Sequence, residues 1–287
     1  TLSSSSAASD VYKRQALEYS SAFGLLIIDH CEDTALTEGG VINEGIMSAK
    51  LGLRGIPAAA EEIMVARDLA LAQLTGSRLH IAHVTTEGSV DLIRRAKEKG
   101  IPVTAEVTPH HLTLTEERVT GYNTNAKVNP PLRTERDIQA LIQALRDNVI
   151  DIIATDHAPH TEADKRCEFA LAAFGISGLE TALGSLLSLV HSGQLTLTTL
   201  IAKLACEPAK LIGNKYRKLG TLAIGAPADV TIFDPNKEWV VDAKAFASKG
   251  KNTPLAGSVL KGKVMATLSQ GKLVYRDDWV RLITGEL

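Results

Sequence analysis

The chain has 287 residues, of which 45% are hydrophobic and 22% are charged, and its formal net charge is -2. A chain of this length can bury a sizeable core, and its near-neutral charge argues against a polyanion or a membrane surface as partner. No apolar run approaches the roughly 18 residues that a bilayer span requires. These properties favour a soluble enzyme that acts on a small-molecule substrate, with no nucleic acid and no membrane partner.

The three cysteines are odd in number, widely spaced and without a CxxC pair. This usage supports neither a disulfide framework nor a cysteine zinc knuckle. The first residues do not show the basic start and following apolar run that are typical of a secretory signal. We therefore expect a reducing, cytoplasmic location.

Residues 1–15 (TLSSSSAASDVYKRQ) are rich in serine and show neither a strand period nor a helix period. Low-complexity sequence of this kind favours a tail or foreign sequence. We therefore predict that the fold begins at Ala16 and that residues 1–15 lie outside it.

From residue 16 onward, short apolar runs alternate with amphipathic segments. The runs have the length and β-branched content of buried strands, and they occupy residues 25–29, 79–84, 103–107 and 150–153. Helices are predicted between or after them, beginning at Pro57 and covering residues 90–99, 135–147 and 179–190. Repeated strand-then-helix units predict an α/β fold, and we assign residues 16–212 to the C-terminal part of a (β/α)₈ TIM-type barrel. Four strands cannot close such a barrel and leave two unpaired edges.

The sequence changes character near residue 213. A short strand flanked by turns is predicted within residues 219–235, and two strand-like runs follow within residues 257–275. We predict a small appended β domain over residues 213–287, with no catalytic residue of its own.

Three metal-capable side chains stand at the predicted strand ends. His30 follows the first strand, His83 lies near the end of the second and Asp156 follows the last. The carboxyl ends of parallel strands meet at one rim, and histidine and carboxylate ligands that leave an open position suit catalytic zinc. A single histidine would more often be a core residue, but three coincident strand ends favour a metal site.

Other polar residues are candidates for binding a substrate. His160 lies four residues beyond Asp156, and Asn129 precedes two prolines that stiffen its backbone. The Phe174-Gly175 loop offers backbone N–H and C=O groups to a flat ring, because glycine permits close approach. Each also has an ordinary structural interpretation as a loop or turn residue.

Taken together, six segments resemble those of the bacterial-type dihydroorotases of the amidohydrolase superfamily. They are HCED at 30–33, HIAHVTTEGSV at 80–90, VTPHHL at 107–112, KVNPPLR at 127–133, ATDHAPH at 154–160 and FGISGLET at 174–181. The segment NTPLAGSVLKGKV at 252–264 is similar as well. The resemblance extends from Ala16 to about Tyr275.

The resemblance implies a zinc enzyme of de novo pyrimidine biosynthesis, with one or two Zn²⁺ per site, that interconverts N-carbamoyl-L-aspartate and L-dihydroorotate. His30 and His83 would bind one zinc and Asp156 the other. Asp156 would also act as general base and acid, carrying a proton to the leaving amide nitrogen. Asn129 and His160 would hold the substrate, with backbone contacts from Phe174 and Gly175. A homo-oligomer, or association with another enzyme of the pyrimidine pathway, is left open.

The chain also departs from that family pattern. An HxHxR motif and a bridging carboxylate or carboxylated lysine belong to the pattern, yet no HxH spacing occurs in this sequence. Asp29 stands before His30, where the family pattern has an uncharged small residue. We expect Asp29 to be either a supporting partner of the metal ligands or an unpaired buried charge. We interpret the chain as an N-terminally incomplete dihydroorotase and expect these 287 residues to be inactive alone.

Two alternative functions stay open at this point. One is a hydantoinase-like or allantoinase-like cyclic amidase, which would share the metal chemistry but not the carboxylate-binding residues. The other is a non-catalytic homologue that serves as a scaffold, against which the retention of His30, His83 and Asp156 argues.

Overall fold

A computed structural model describes residues 6–213 and 218–278 of the chain, with side chains described from residue 10. Its strands are β1 (Ile27–Asp29), β2 (Ile42–Asn43), β3 (Gly55–Ile56), β4 (Leu79–Ile81), β5 (Val103–Val107), β6 (Ile152–Ile153), β7 (Val230–Val240), β8 (Val259–Ser269) and β9 (Lys272–Arg276). Its α-helices are α1 (Ser6–Ala22), α2 (Thr34–Thr37), α3 (Ile46–Leu51), α4 (Ala59–Thr75), α5 (Glu87–Glu98), α6 (Pro109–Thr113), α7 (Glu135–Arg146), α8 (Glu162–Lys165), α9 (Ala182–His191), α10 (Leu197–Ile201) and α11 (Glu207–Leu211).

The first half of the fold is a four-stranded parallel sheet in the order β1-β4-β5-β6. Asp29 pairs with Ile81, Ile81 with Ala105, and Val107 with Ile153, so the carboxyl ends of the strands lie along one edge. The helices between the strands cover the sheet and bury its apolar residues in one core cluster. This arrangement confirms the predicted α/β class.

Local sequence explains where the covering helices begin. Thr86 caps α5 by accepting a hydrogen bond from the backbone of Ser89, and Thr134 and Asp137 cap α7 reciprocally. Thr108 directly follows β5 and caps α6, and Pro109 is the first residue of that helix. Thr86 and Thr108 each lie within five residues of the preceding strand, whereas Thr134 caps α7 at the end of a long connection from β5.

Helix α1 differs from the expectation for residues 1–15. Residues from Ser6 onward are helical, and Leu17 of the same helix is fully buried against the core. Asp10 forms an ion pair with Arg67, and Lys13 one with Asp29. The helical part of that segment therefore packs on α4 and β1, whereas residues 1–5 lie outside the described part of the chain.

The C-terminal segment contains the predicted β module. Strands β7, β8 and β9 form an antiparallel sheet, and α9 packs against β8. Val241, Phe246 and Leu255 share a second core cluster with loop residues of the first half, such as Val128 and Ile176. The module is thus continuous with the loops that follow the parallel strands, while residues 214–217 and 279–287 of the predicted domain lie outside the described residues.

Within the described residues, no helix combines the length and the apolar character needed to cross a membrane.

Candidate metal and substrate site

His30 and His83 come together at the carboxyl edge of the parallel sheet. His30 directly follows β1 and His83 lies two residues beyond β4, its neighbour in the sheet. His30 Nδ1 lies 2.7 Å from His83 Nε2, and the two rings are steeply inclined with their centroids 4.5 Å apart. Two histidine nitrogens therefore converge on one point, as the strand-end pattern predicts.

Asp156 lies near both histidines, on the loop that follows β6. Its backbone has a φ of 44°, a left-handed conformation that is uncommon for aspartate and ends the strand abruptly. The carboxylate is exposed, and its charge acts to raise the pKa of His30 and of His83. His83 also has a positive φ, of 35°. Strained backbone at both positions is typical of residues held for function.

The two histidines differ in electrostatic environment. A hydrogen bond with Glu32 raises the pKa of His30. Burial and the neighbouring His30 lower the pKa of His83, which favours its neutral ring. Neutral imidazole is the form that binds a metal. A paired set of ring nitrogens with a carboxylate beside it therefore suits zinc by the chemistry of its donors.

Glu32 is a residue of this site that has no role in the predictions made from the sequence. Its Oε2 accepts hydrogen bonds from His30 Nε2 at 2.8 Å and from Asn129 Nδ2 at 3.0 Å. The hydrogen bond from His30 is the main cause that lowers the pKa of Glu32 to about 2. Asn129, a predicted substrate residue, is thereby connected to a predicted metal ligand. Only the motif HCED, in which Glu32 follows His30 by two residues, could have drawn attention to it.

The loop that carries His160 is joined to the Phe174-Gly175 loop. His160 Nε2 donates to the carbonyl oxygen of Phe174 at 2.7 Å, and Gly175 N–H donates to the carbonyl oxygen of Lys127 at 2.9 Å. Gly175 has a φ of 136°, and an added Cβ would lie 2.6 Å from the Cβ of Ala158. Two of the backbone groups that the sequence assigned to a flat ring, the Phe174 carbonyl and the Gly175 N–H, thus already have hydrogen-bond partners within the protein.

Asn252, in the C-terminal module, forms hydrogen bonds with both of these loops. Its Nδ2 donates to the carbonyl oxygens of Ala158 and Gly175, both at 3.0 Å. Its Oδ1 accepts from His160 N–H at 2.9 Å and from Ser177 Oγ at 2.8 Å. These four contacts span 75 to 94 residues of sequence, so no local pattern predicts them.

A buried polar network supports the turn that carries His83. Glu61, on the first turn of α4, accepts hydrogen bonds from the backbone N–H groups of Thr85 and Thr86 at 2.9 and 3.3 Å. Arg133 donates to Thr85 Oγ1 at 3.1 Å and lies 3.9 Å from the Glu61 carboxylate. Glu61 thereby holds the loop beyond β4, two to three residues after His83.

The remaining histidines of the motifs lie in the interior. His80 is buried and contacts Thr104 at 2.8 Å and Glu106 at 3.1 Å, so it has hydrogen-bond partners within the sheet. His111 Nε2 donates to the carbonyl oxygen of Pro130 at 2.9 Å. His110 Nε2 is buried without a hydrogen-bond partner in the described residues, and burial lowers its pKa to about 3.

A second group of metal-capable atoms lies beneath the site. Asp29, Cys31 and Asp68 place ligand atoms within 4.8 Å of one another. Lys13 pairs with Asp29, and Arg67 Nη2 lies 2.6 Å from Asp68 Oδ1, so these carboxylates already have cationic partners. Burial and the adjacent Asp29 raise the pKa of Asp68 to about 7. Asp29 is therefore a paired charge, which resolves the two interpretations left open by the sequence.

The comparison with family models gives a match to "Amidohydrolase family" over residues 8–274. The chain belongs to the amidohydrolase family.

Among curated relatives, it is 54% identical over 268 residues to the dihydroorotase of Syntrophus aciditrophicus (strain SB), covering 93% of this chain and 62% of the relative. It is also 54% identical over 269 residues to the dihydroorotase of Pelotomaculum thermopropionicum, again covering 93% of this chain and 62% of the relative. The chain thus spans about three fifths of the length of these relatives.

Solved structures titled hydantoinase or dihydropyrimidinase share the fold of this chain. The L-hydantoinase (dihydropyrimidinase) of Arthrobacter aurescens is 30% identical with a TM-score of 0.85, over 95% of this chain and 62% of that one. The dihydropyrimidinase of Brevibacillus agri NCHU1002 is 26% identical with a TM-score of 0.80, over 92% of this chain and 59% of that one.

Proposed function

We propose that this chain carries catalytic residues of a dihydroorotase, the enzyme that interconverts N-carbamoyl-L-aspartate and L-dihydroorotate in pyrimidine biosynthesis. The observation that carries the proposal is the convergence of His30 Nδ1 and His83 Nε2 at 2.7 Å, beside Asp156, at the carboxyl edge of a parallel sheet. Relatives named dihydroorotase, at 54% identity, support it. On this proposal the sheet is part of a (β/α)₈ barrel, whose catalytic residues lie at that edge.

The site residues fit zinc, with His30, His83 and Asp156 as the ligands that this chain supplies. Zinc, when bound, lowers the pKa of water toward neutrality and polarises the carbonyl under attack. His30 and His83 would hold the ion through the two ring nitrogens that face each other 2.7 Å apart.

Asp156 is the proton carrier of the proposed reaction. Its carboxylate is exposed at the site, where it takes a proton from the attacking water and delivers it to the ring nitrogen that leaves. Asn129 and His160 lie on loops beside it and would bind the substrate carboxylate and ring. A small-molecule substrate suits this edge, while cytoplasmic location and self-association stay predictions.

A hydantoinase activity is the second candidate, because solved structures titled hydantoinase superpose with TM-scores of 0.80–0.85. Hydantoin lacks the carboxylate of dihydroorotate, so the two functions differ in what Asn129 and His160 would bind. Identity to those structures is 26–30%, well below the 54% of the relatives named dihydroorotase. We therefore favour dihydroorotate as substrate.

The test replaces the matching segment of the Syntrophus aciditrophicus relative with residues 16–275 of this chain. We expect the zinc-loaded chimera to hydrolyse L-dihydroorotate and to show almost no turnover of hydantoin. The unmodified relative, assayed with both substrates, provides the reference rates. Turnover of hydantoin alone would favour the second candidate. Loss of both activities, with zinc bound at the level of the relative, would contradict the proposal.

A further inference from the structure

One carboxylate oxygen joins the two halves of the candidate site. Glu32 Oε2 accepts from His30 Nε2 at 2.8 Å and from Asn129 Nδ2 at 3.0 Å, although Glu32 and Asn129 lie 97 residues apart in sequence. The His30 side chain is 41% exposed and that of Glu32 21% exposed. A half-exposed imidazole can rotate unless a partner holds it, and Glu32 supplies that partner.

The contact with Glu32 also determines which nitrogen of His30 can bind a metal. An ionised carboxylate only accepts hydrogen bonds, so His30 carries its proton on Nε2 and Nδ1 keeps a free lone pair in the neutral ring. That lone pair is directed at His83 Nε2, 2.7 Å away. Ligating histidines commonly donate their other N–H to a carboxylate, which fixes the ring and raises its basicity.

The same oxygen orients the side-chain amide of Asn129. Because only the NH₂ group can donate to a carboxylate, the contact fixes which end of the amide faces Glu32. Among the described residues, no other hydrogen bond engages this side chain, so its second N–H and its Oδ1 are available to a ligand. The backbone of Asn129 leads into Pro130 and Pro131, which limits its freedom from the other side.

We propose that Glu32 is a positioning residue, which holds His30 in the metal-binding orientation and Asn129 in the substrate-binding orientation through one shared oxygen. This inference rests on the proposed function for its consequences, but the hydrogen bonds themselves can be tested without metal or substrate. It predicts that metal affinity and substrate affinity change together when Glu32 is replaced.

The experiment uses the 287-residue chain with Zn²⁺ as the probe and three variants. Glu32→Ala removes the acceptor, whereas Glu32→Gln keeps one oxygen that can accept both hydrogen bonds, while it removes the charge and replaces the other oxygen by an NH₂ group. Glu38→Ala is the matched control, because this exposed carboxylate lies six residues after Glu32, just beyond α2. Circular dichroism and thermal melting establish that each variant is folded.

The first measurement is the imidazole N–H proton resonance of His30 in the metal-free chain. We expect a resonance protected from solvent exchange in the wild type, Glu32→Gln and Glu38→Ala, and its loss in Glu32→Ala. A wild-type chain without it, or a Glu32→Ala variant that keeps it, would overturn the proposal. If Glu32→Ala does not fold, the wild type and Glu32→Gln still decide.

The second measurement is the affinity for Zn²⁺ in competition with a chelator. We expect Glu32→Ala to bind about 10–100-fold more weakly, Glu32→Gln to be intermediate and Glu38→Ala to be unchanged. Equal affinity of Glu32→Ala and the wild type would overturn the positioning role. A wild-type chain that shows the resonance but binds no zinc would instead contradict the proposed function.

Discussion

Asp156 is the residue on which the proposed chemistry depends most. It is expected both to bind zinc and to carry the proton, and general acid–base groups contribute about 10²–10⁴-fold to rate. In the chimera, Asp156→Asn should lower kcat by at least this factor and also lower zinc content, because a neutral amide is a poorer ligand. Metal analysis and steady-state kinetics with L-dihydroorotate provide the check. Asp164→Asn, an exposed carboxylate eight residues on, is the control.

His110 should make the fold sensitive to acid. Burial lowers its pKa to about 3, so the unfolded chain, where the pKa is near 6.5, binds the proton more readily. The contribution of the neutral ring to the free energy of unfolding is fully present above about pH 6.5. As the pH falls toward 3, this contribution decreases by a total on the order of 4 kcal/mol. Urea unfolding at several pH values should show a shallower acid-side decline for His110→Phe than for the wild type. The exposed His191→Phe control should retain the wild-type slope.

The residues of the site differ in how far the sequence could predict them. His30, His83 and Asp156 follow apolar runs, and the rule that parallel strands end at one edge suffices to bring them together. Glu32 adjoins His30, yet its role emerges only when Asn129 is seen to contact it. Asn252 could not be predicted, because its partners lie on loops that only the tertiary fold brings near. Local patterns locate residues on strands, whereas hydrogen bonds between loops depend on packing.

At the scale of elements, buried strands were the most predictable feature. Strand β5 lies at residues 103–107 as predicted, and α7 covers 135–146 against a predicted 135–147. Strand β4 ends at Ile81 rather than at residue 84, because His83 adopts a positive φ and the chain turns. The second half of α1 agrees with a helix end predicted over residues 16–23, whereas its first half escaped prediction because that serine-rich segment shows no helix period.

The two loops that carry His160 and Gly175 should behave as one element because Asn252 joins them. Asn252→Ala removes four hydrogen bonds and leaves buried partners unsatisfied, which should cost about 2–4 kcal/mol. Hydrogen exchange should quicken in residues 157–161 and 174–178 while the sheet stays protected. The exposed Asn236→Ala, in β7, serves as control. Unchanged exchange in both loops would show that Asn252 does not hold them.

For the molecule as a whole, the β module and the parallel sheet share buried surface. Val241, Phe246 and Leu255 pack with loop residues of the first half, and α9 lies on β8. A sequence boundary at residue 213 therefore marks a change of strand pattern and not an independent core. One cooperative unfolding transition is expected, because the second core cluster cannot form from either part alone.

Gly262 offers a direct test of this coupling. Its φ is 113° and an added Cβ would lie 2.1 Å from Leu187 Cδ1 on α9, so Gly262→Ala introduces both backbone strain and a clash between module and helix. Gly271, in the same module with a φ of 78°, has room for a Cβ, since the nearest atom lies at 4.0 Å. Gly271→Ala should therefore cost only the strain, about 1–2 kcal/mol.

We expect Gly262→Ala to destabilise the chain by about 3 kcal/mol or more, measured by urea unfolding followed with both far-ultraviolet circular dichroism and tryptophan fluorescence. Trp239 reports on the module, because its indole N–H donates to the carbonyl oxygen of Gly262 at 2.9 Å. If the two halves are coupled, both signals shift together. A fluorescence transition that moves alone, while the helical signal keeps its wild-type midpoint, would show that the module unfolds by itself.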